Sequence, residues 1–248
     1  MNFGFLSTLD NLLLPLIIKK AKDLGIKNIF VFLDEKGVSK KDKKIFQKRT
    51  KGRFGDDTKS NDYLLALSNL NVPFYFVNNH NSDLSIELYS LLKIDCLINA
   101  GTPRKISKKL LNKEIIPQGV LNIHPGKLPE YRGCSAVEWA ILNDDQIFNT
   151  VHYMEEDYDT GPLIKTEPYQ FKSNSTYVDI RSEVCLKGIN LLCDMVKKIQ
   201  NKEFSYNDAQ KQNDSKAHFW NPIPENLEDS SIEKANNKMY TYQNLGNK

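Results

Sequence analysis

The stretch NIFVFL, residues 28–33, places five apolar side chains in a row after a single asparagine. A strand with one solvated face alternates apolar and polar residues, so this run predicts a strand buried on both faces of a sheet. Similar short runs lie at residues 2–6, 73–77 (PFYFV) and 95–100 (DCLINA). Helix-like stretches separate them, and such repetition with short links requires right-handed crossovers. The sequence therefore predicts an α/β fold with a Rossmann-like, doubly wound, mostly parallel sheet.

Further elements continue this pattern along the chain. We expect strands at 119–124 and 149–154, an edge strand at 163–171, helices near 84–92 and around 107–111, and a long amphipathic helix at 176–199. Asn11 is expected to cap a helix that runs to Leu24 and stops at Gly25. Ser135 and Glu138 have the spacing of a capping box for a helix over 135–142.

The composition is that of an ordinary globular protein, with 248 residues, 40% hydrophobic and 26% charged. The net charge of +3 argues against a protein built to bind nucleic acid. We expect a catalytic domain over residues 1–200 and a C-terminal extension over 201–248. The residues after about Glu225 are polar and predict either a loosely packed tail or a small appended element.

The cysteines and the N-terminus bear on the cellular compartment. The four cysteines are Cys96, Cys134, Cys185 and Cys193. They lack metal-ligand spacing, so we expect neither zinc nor any other metal, and a reducing compartment fits. The apolar run from Leu12 to Ile18 is short and broken by Pro15, unlike a signal peptide. Without an apolar run of 18 residues, we expect a cytoplasmic protein with neither a membrane nor a nucleic-acid partner.

The stretch from Val120 to Ile164 carries most of the polar groups suited to chemistry. Asn122 and His124 alternate on one strand and therefore point to the same face. Asp159 follows the next strand, and we expect adjacent strand ends to bring all three side chains into one crevice. Each residue taken alone has a structural explanation: a buried histidine, a turn-capping asparagine and an ordinary turn aspartate.

Three motifs resemble one family. Asn122-Ile-His124-Pro125, then Leu128-Pro129-x-Tyr131-Arg132-Gly133, then Asp159-Thr160-Gly161 are similar to the signature of enzymes that use N10-formyltetrahydrofolate. The resemblance covers about residues 1–225 and is strongest over 95–164.

This resemblance implies a reaction in which a neutral amine attacks the formyl carbon and negative charge develops on the formyl oxygen. Asn122 and a protonated His124 would then donate hydrogen bonds to that oxygen. His124 would also move a proton, while Asp159 would orient the imidazole, favour its charged form and relay a proton through water. The implied folate-binding residues are Thr102, Pro103, Arg104, Lys105, Ile106, Met154, Glu155, Glu156, Asp157 and Tyr158.

The substrate that accepts the formyl group is inferred from sequence features that differ between members of this family. Glycinamide ribonucleotide transformylases have a glycine-rich loop after the first strand, whereas residues 6–11 here contain no glycine. Methionyl-tRNA formyltransferases carry a second, OB-like domain, which a tail of this polarity does not predict. The resemblance is therefore closest to the sugar N-formyltransferases. It implies a nucleotide-linked amino sugar, such as a dTDP-4-amino-4,6-dideoxyhexose, in surface polysaccharide or O-antigen biosynthesis, and a homodimer.

Two alternatives to this function stay open. One is a formyltransferase acting on another small amine, such as glycinamide ribonucleotide. The other is a protein of this fold that binds folate without transfer or only hydrolyses the formyl group.

Residues 36–53 carry nine lysines and arginines against one acid, Asp42. The run is either a solvated segment or a lid that attracts the diphosphate of the substrate, and we weigh both equally. Trp220 or Phe219 could stack on the nucleobase, although core packing explains Trp220 equally well. The expected substrate-binding residues are Lys48, Arg49, Arg53, His80, Pro125, Gly126, Lys127, Tyr131, Arg132 and Trp220.

Overall fold

The structure is a computed structural model and describes residues 1–55 and 60–243. Its strands are β1 (Phe3–Thr8), β2 (Ile29–Asp34), β3 (Phe74–Val77), β4 (Cys96–Asn99), β5 (Val120–His124), β6 (Arg132–Gly133), β7 (Phe148–Tyr153), β8 (Leu163–Pro168) and β9 (Phe219–Trp220). Seven of them form one sheet in the order β3-β2-β1-β4-β5-β7-β8. The first five in this order are parallel, whereas β7 is antiparallel to both β5 and β8. The predicted mostly parallel α/β sheet is confirmed.

Helices cover both faces of this sheet. They are α1 (Leu14–Asp23), α2 (Lys40–Thr50), α3 (Ser60–Asn69), α4 (Asp83–Leu91), α5 (Ala136–Asn143), α6 (Tyr177–Gln200) and α7 (Glu225–Asn236). The long helix α6 begins at a capping box in which Thr176 and Asp179 satisfy each other's backbone N–H groups. Helix α6 packs on β5 and β7, so its buried face covers these two strands.

The apolar strands are buried on both faces, as their unbroken runs predict. Phe5 and Val31 pack on the face covered by α1 and α6. Leu6, Phe32 and Leu97 pack on the opposite face with Tyr89 of α4. The apolar side chains of these strands therefore pack on both faces of the sheet. The polar residues that can form a site lie at the ends of β4 and β5.

Three predicted local features are wrong. Helix α1 begins at Leu14 with Leu13 at its N-cap position, so Asn11 is not the N-cap residue, although its Oδ1 accepts a hydrogen bond from the backbone N–H of Leu13 over 3.0 Å. Ser135 has a positive φ of 55° and does not cap α5, because its hydroxyl accepts hydrogen bonds from Arg49 and from the backbone of Ile223. The expected helix around 107–111 is a turn.

The C-terminal segment is better packed than its polarity predicts. Helix α7 contacts α5 and α6, and Tyr240 beyond it is fully buried. The Tyr240 hydroxyl donates to the carbonyl of Asp145 over 2.7 Å. Of the two expected alternatives, the small appended element is therefore present up to residue 243, and residues 244–248 lie outside the described residues.

Candidate active site

Asn122 lies near the end of β5, where its side-chain amide joins two neighbouring strands. Its Oδ1 accepts a hydrogen bond from Asn99 Nδ2 of β4 over 2.9 Å. Its Nδ2 lies 3.0 Å from Nε2 of His152 on β7. His152 Nδ1 donates to the carbonyl of Tyr153 over 2.7 Å, so in the neutral tautomer Nε2 accepts from Asn122. One of the two amide hydrogens of Asn122 is thereby left for a ligand.

His124 lies two residues further along the same face and is 5% exposed. Its Nε2 is 2.5 Å from the carbonyl of Tyr131, which can only accept, so this nitrogen carries the proton. Its Nδ1 lies 3.4 Å from Asp159 Oδ2. Gly126 allows the ring to sit here, since a Cβ at that position would lie 2.6 Å from Nε2.

Asp159 reaches this cluster from the loop between β7 and β8. Its Oδ2 accepts from the backbone N–H of Gly133 over 2.8 Å, and its Oδ1 lies 3.6 Å from His152 Nε2. The predicted convergence of the three side chains is present, but the predicted reason is wrong. Because β7 is antiparallel to β5, the two strands run in opposite directions and their carboxyl ends lie at opposite ends of the strand pair. The β7–β8 loop instead folds back over the site, and Asp159 turns inward with a φ of 59°.

The charges of this cluster follow from burial. Burial lowers the pKa of His124, and the Asp159 carboxylate only partly offsets this effect. Burial alone would raise the pKa of Asp159, but His124, His152 and the Gly133 N–H together lower it to about 2. A neutral imidazole and an ionised carboxylate therefore prevail near pH 7. Asp159 thus favours the charged form of His124, as expected, although burial has the larger effect on the pKa of the imidazole.

Sequence reasoning missed two residues of this site. His152 pairs in register with Asn122 across β5 and β7, which an antiparallel assignment of β7 would have indicated. Gln212 comes from the C-terminal segment and donates to the carbonyls of Asp159 and Gly161 over 2.8 and 2.7 Å. No local sequence pattern marks Gln212, because its partners are about fifty residues away.

A groove of about 920 Å³ opens beside the site. It runs past Val120, which precedes Asn122 by two residues, and past Thr160, which follows Asp159. Of the residues expected to bind folate, Met154, Glu155, Glu156 and Asp157 line it. Residues that were not predicted also line it, among them Lys108, Leu111, Lys113, Tyr153 and Tyr206.

The other expected folate-binding residues lie outside the lining of this groove. Arg104 donates to both carboxylate oxygens of Asp34, Thr102 Oγ1 is 2.7 Å from His80 Nδ1, and Ile106 is buried in the core. Lys105 Nζ lies 5.3 Å from the ring centre of Tyr158. Pro103 is half-buried in the same loop.

A second cavity, of about 290 Å³, lies on the other side of Asn122. Its walls are the ends of β4 and β5, the start of α1 and the buried face of α6. Asn99, Asn122 and Pro125 line its catalytic end, and Arg181 and Cys185 line it from α6. Asn122 of the cluster therefore lines this second cavity, whereas the groove is lined by Val120 and Thr160, close to Asn122 and Asp159 in the chain.

The basic residues expected to meet a diphosphate are paired with carboxylates. Lys48 Nζ contacts Glu228 and Asp229 at 2.8 and 2.9 Å. Arg49 Nη2 lies 2.8 Å from Glu228 Oε1, and Arg53 Nη2 lies 2.5 Å from Asp179. These contacts attach the region around α2 to α6 and α7, so this structure does not place the three residues at either cavity.

The remaining expected substrate residues, other than Pro125 and Gly126, also have protein partners. His80 is fully buried and its Nε2 lies 3.0 Å from the carbonyl of Phe32. Lys127 pairs with Glu130 at 3.0 Å, and the Tyr131 hydroxyl donates to Asp145. Arg132 binds Gln212 and Asp214.

Trp220 packs rather than projecting into a binding site. It stacks on Tyr131 with ring centres 5.4 Å apart, and its Nε1 donates to the carbonyl of Glu130 over 3.1 Å. Phe219 beside it is 52% exposed.

The described residues contain neither a metal-ligand cluster nor a membrane-spanning helix. Within residues 1–55 and 60–243, no group of three or more His, Cys, Asp or Glu side chains is arranged to hold a metal ion. None of the helices in that part of the chain is long and apolar enough to cross a membrane.

Comparison with known proteins identifies relatives. A family model described as formyl transferase matches residues 5–196. The methionyl-tRNA formyltransferase of Borrelia hermsii (strain HS1 / DAH) is 30% identical over 142 residues, which cover 57% of this chain and 45% of that protein. The match therefore spans less than half of the length of that curated relative.

Solved structures share the fold at low identity. A sugar N-formyltransferase from Shewanella sp. FDAARGOS_354 superposes with a TM-score of 0.63 and 14% identity, over 95% of this chain and 88% of that one. The N-formyltransferase from Helicobacter canadensis, in complex with folinic acid and dTDP-3-aminofucose, gives a TM-score of 0.60 and 17% identity, over 89% of this chain and 70% of that one.

Proposed function

Because this chain belongs to the formyl transferase family, we propose that it transfers a formyl group from N10-formyltetrahydrofolate to the amino group of a nucleotide-linked amino sugar. One observation carries the proposal: Asn122, His124 and Asp159 converge, Asn122 lines the second cavity, and the groove is lined by Val120 and Thr160, which lie close to Asn122 and Asp159 in the chain. A transfer between two bound substrates needs such an arrangement, because donor and acceptor must meet at the same catalytic groups.

The groove suits the folate. It combines apolar side chains of Leu111, Val120 and Met154 with a polar rim, as expected for a flat heterocycle attached to a charged tail. Lys113 supplies positive charge for the carboxylates of that tail, whereas Lys108 pairs with Glu156 of the same groove at 2.8 Å. The folate supplies the formyl carbon.

The residues of the cluster take distinct roles in the proposed reaction. Asn122 donates its remaining amide hydrogen to the formyl oxygen as negative charge develops there. Neutral His124 accepts at Nδ1, the nitrogen that faces Asp159, the proton that the attacking amine loses, and the carboxylate stabilises the imidazolium that results. His124 then donates this proton to N10 of the folate as the bond between N10 and the formyl carbon breaks. Asp159 can also hold a water that relays the proton from the attacking amine.

The sugar-nucleotide acceptor is supported by two observations. Residues 6–11, which comprise the end of β1 and the start of the loop toward α1, contain no glycine to form a phosphate loop. The Helicobacter canadensis structure, which shares the fold, contains dTDP-3-aminofucose. The predicted homodimer, cytoplasmic location and role in surface polysaccharide or O-antigen synthesis accompany this proposal and stay predictions.

Methionyl-tRNA is the second candidate acceptor, because the curated protein from Borrelia hermsii carries that activity in its name. An assay must therefore include both kinds of acceptor.

The proposal is tested by incubating the purified protein with N10-formyltetrahydrofolate and a panel of amines. The panel holds dTDP- and GDP-linked 4-amino- and 3-amino-dideoxyhexoses, glycinamide ribonucleotide and methionyl-tRNA, and mass spectrometry follows the gain of one formyl group. We expect formylation of a sugar nucleotide. Formylation of methionyl-tRNA alone would show that methionyl-tRNA, and not a sugar nucleotide, is the acceptor. Formate release without formation of any amide would indicate a hydrolase.

A further inference from the structure

Arg181 lies on α6 and forms part of the wall of the 290 Å³ cavity that ends at Asn122. Arg181 is 9% exposed to solvent. It is the single charged residue among the described residues that line this cavity; the rest are apolar side chains, glycines, cysteine, threonine and asparagines. A buried arginine in such a wall requires compensation, because removing a charge from water is costly.

The protein compensates Arg181 only in part. Its Nε lies 3.4 Å from Glu138 Oε1. No hydrogen-bond partner for this nitrogen is present among the described residues. A guanidinium has five N–H donors in a planar fork, so donors are left for a group that enters the cavity.

Glu138, the ion-pair partner of Arg181, has other groups beside it. Its Oε1 accepts a hydrogen bond from the Tyr177 hydroxyl over 2.6 Å, and its Oε2 lies 3.4 Å from Arg49 Nη1 without forming a hydrogen bond. Arg181 can keep its Nε beside Glu138 while the other nitrogens of its fork bind a second anion.

We propose that Arg181 binds an anionic oxygen group of the acceptor, a phosphate or a carboxylate, while the amino group of the acceptor lies at Asn122. This inference rests on the proposed function. The size of the cavity suits a hexose-sized unit with one such group at its edge. Surrounding apolar side chains strengthen a charge-assisted hydrogen bond by excluding water.

Direct binding tests the inference without requiring turnover. Isothermal titration at low ionic strength would compare dTDP, which provides phosphates, with galacturonate, which provides a carboxylate. The proteins would be the wild type, Arg181→Met and Arg181→Lys. Arg49→Met is the matched control, because Arg49 also contacts Glu138 but does not line the cavity.

We expect one of the two probes to bind the wild type and Arg49→Met equally, and Arg181→Met at least tenfold more weakly. Arg181→Lys keeps the charge and should retain part of the affinity. Whichever probe loses affinity identifies the anion. Equal binding by wild type and Arg181→Met, or equal weakening in Arg49→Met, would overturn the proposal.

Turnover distinguishes this inference from the proposed function. If a sugar nucleotide is formylated, Arg181→Met should raise the KM for that acceptor at least tenfold and leave the KM for folate unchanged. If no acceptor is formylated but a probe still requires Arg181, the anion site stands and the proposed function fails.

Discussion

Gln212 donates its side-chain amide to the backbone carbonyl of Asp159 over 2.8 Å. The same amide nitrogen also lies 2.7 Å from the carbonyl of Gly161, and the Gln212 Oε1 accepts from the guanidinium of Arg132. One side chain of the C-terminal segment therefore holds the loop that presents the catalytic carboxylate. Its effect on catalysis is through position rather than through contact with the reacting atoms.

Replacing Gln212 by Glu should reduce kcat by about tenfold to a hundredfold, because displacement of a catalytic group by an ångström has costs of this size. The glutamate can still accept from Arg132 but cannot donate to the two carbonyls. Steady-state kinetics with a saturating acceptor would measure the change, with exposed Lys211→Ala as the control. A normal kcat for Gln212→Glu would show that the loop keeps its position without this bond.

Replacing His124 by Asn should lower formyl transfer at least a hundredfold, since it removes the group assigned to proton transfer. Folate binding should persist, because His124 does not line the groove beside it. Single-turnover rates and titration with folinic acid separate the two effects. Near-normal turnover of His124→Asn would contradict the assignment of His124 to proton transfer.

The imidazole of His124 should titrate below its ordinary value of 6.5, since burial lowers its pKa. Replacing Asp159 by Asn removes the negative charge that raises this pKa, so the midpoint should fall further. Histidine NMR signals followed from pH 8 to pH 5 would measure both midpoints, with His124→Asn used to assign the resonance. A wild-type midpoint at or above 6.5 would contradict the neutral imidazole.

Replacing Arg49 by Met should destabilise the fold and leave the KM values unchanged. Arg49 pairs with Glu138 and Glu228, which are both buried. Breaking such a pair costs about 3 kcal/mol, which lowers Tm by roughly 10 °C in a chain of this size. Thermal unfolding would measure the effect, with Lys44→Met as an exposed control on the same helix. An unchanged Tm together with a raised acceptor KM would instead restore the diphosphate-binding hypothesis for this segment.

The amino-acid sequence by itself determined the parallel half of the fold and the common direction of Asn122 and His124. Unbroken apolar runs such as residues 28–33 require a sheet covered on both faces, and the two-residue spacing of Asn122 and His124 requires a common direction. Both are local properties of the chain. The basic run at 36–53 could not be interpreted in the same way, because charge in a sequence does not reveal its partner.

Only the tertiary structure decided which strand pairs antiparallel, how the loop of Asp159 returns to His124, and what Lys48, Arg49 and Trp220 contact. It also brought Gln212 and Arg181 to the site from distant segments. The physical reason is the same in each case. The energy of a buried charge or amide depends on the partner that packing places beside it, and that partner can lie anywhere along the chain.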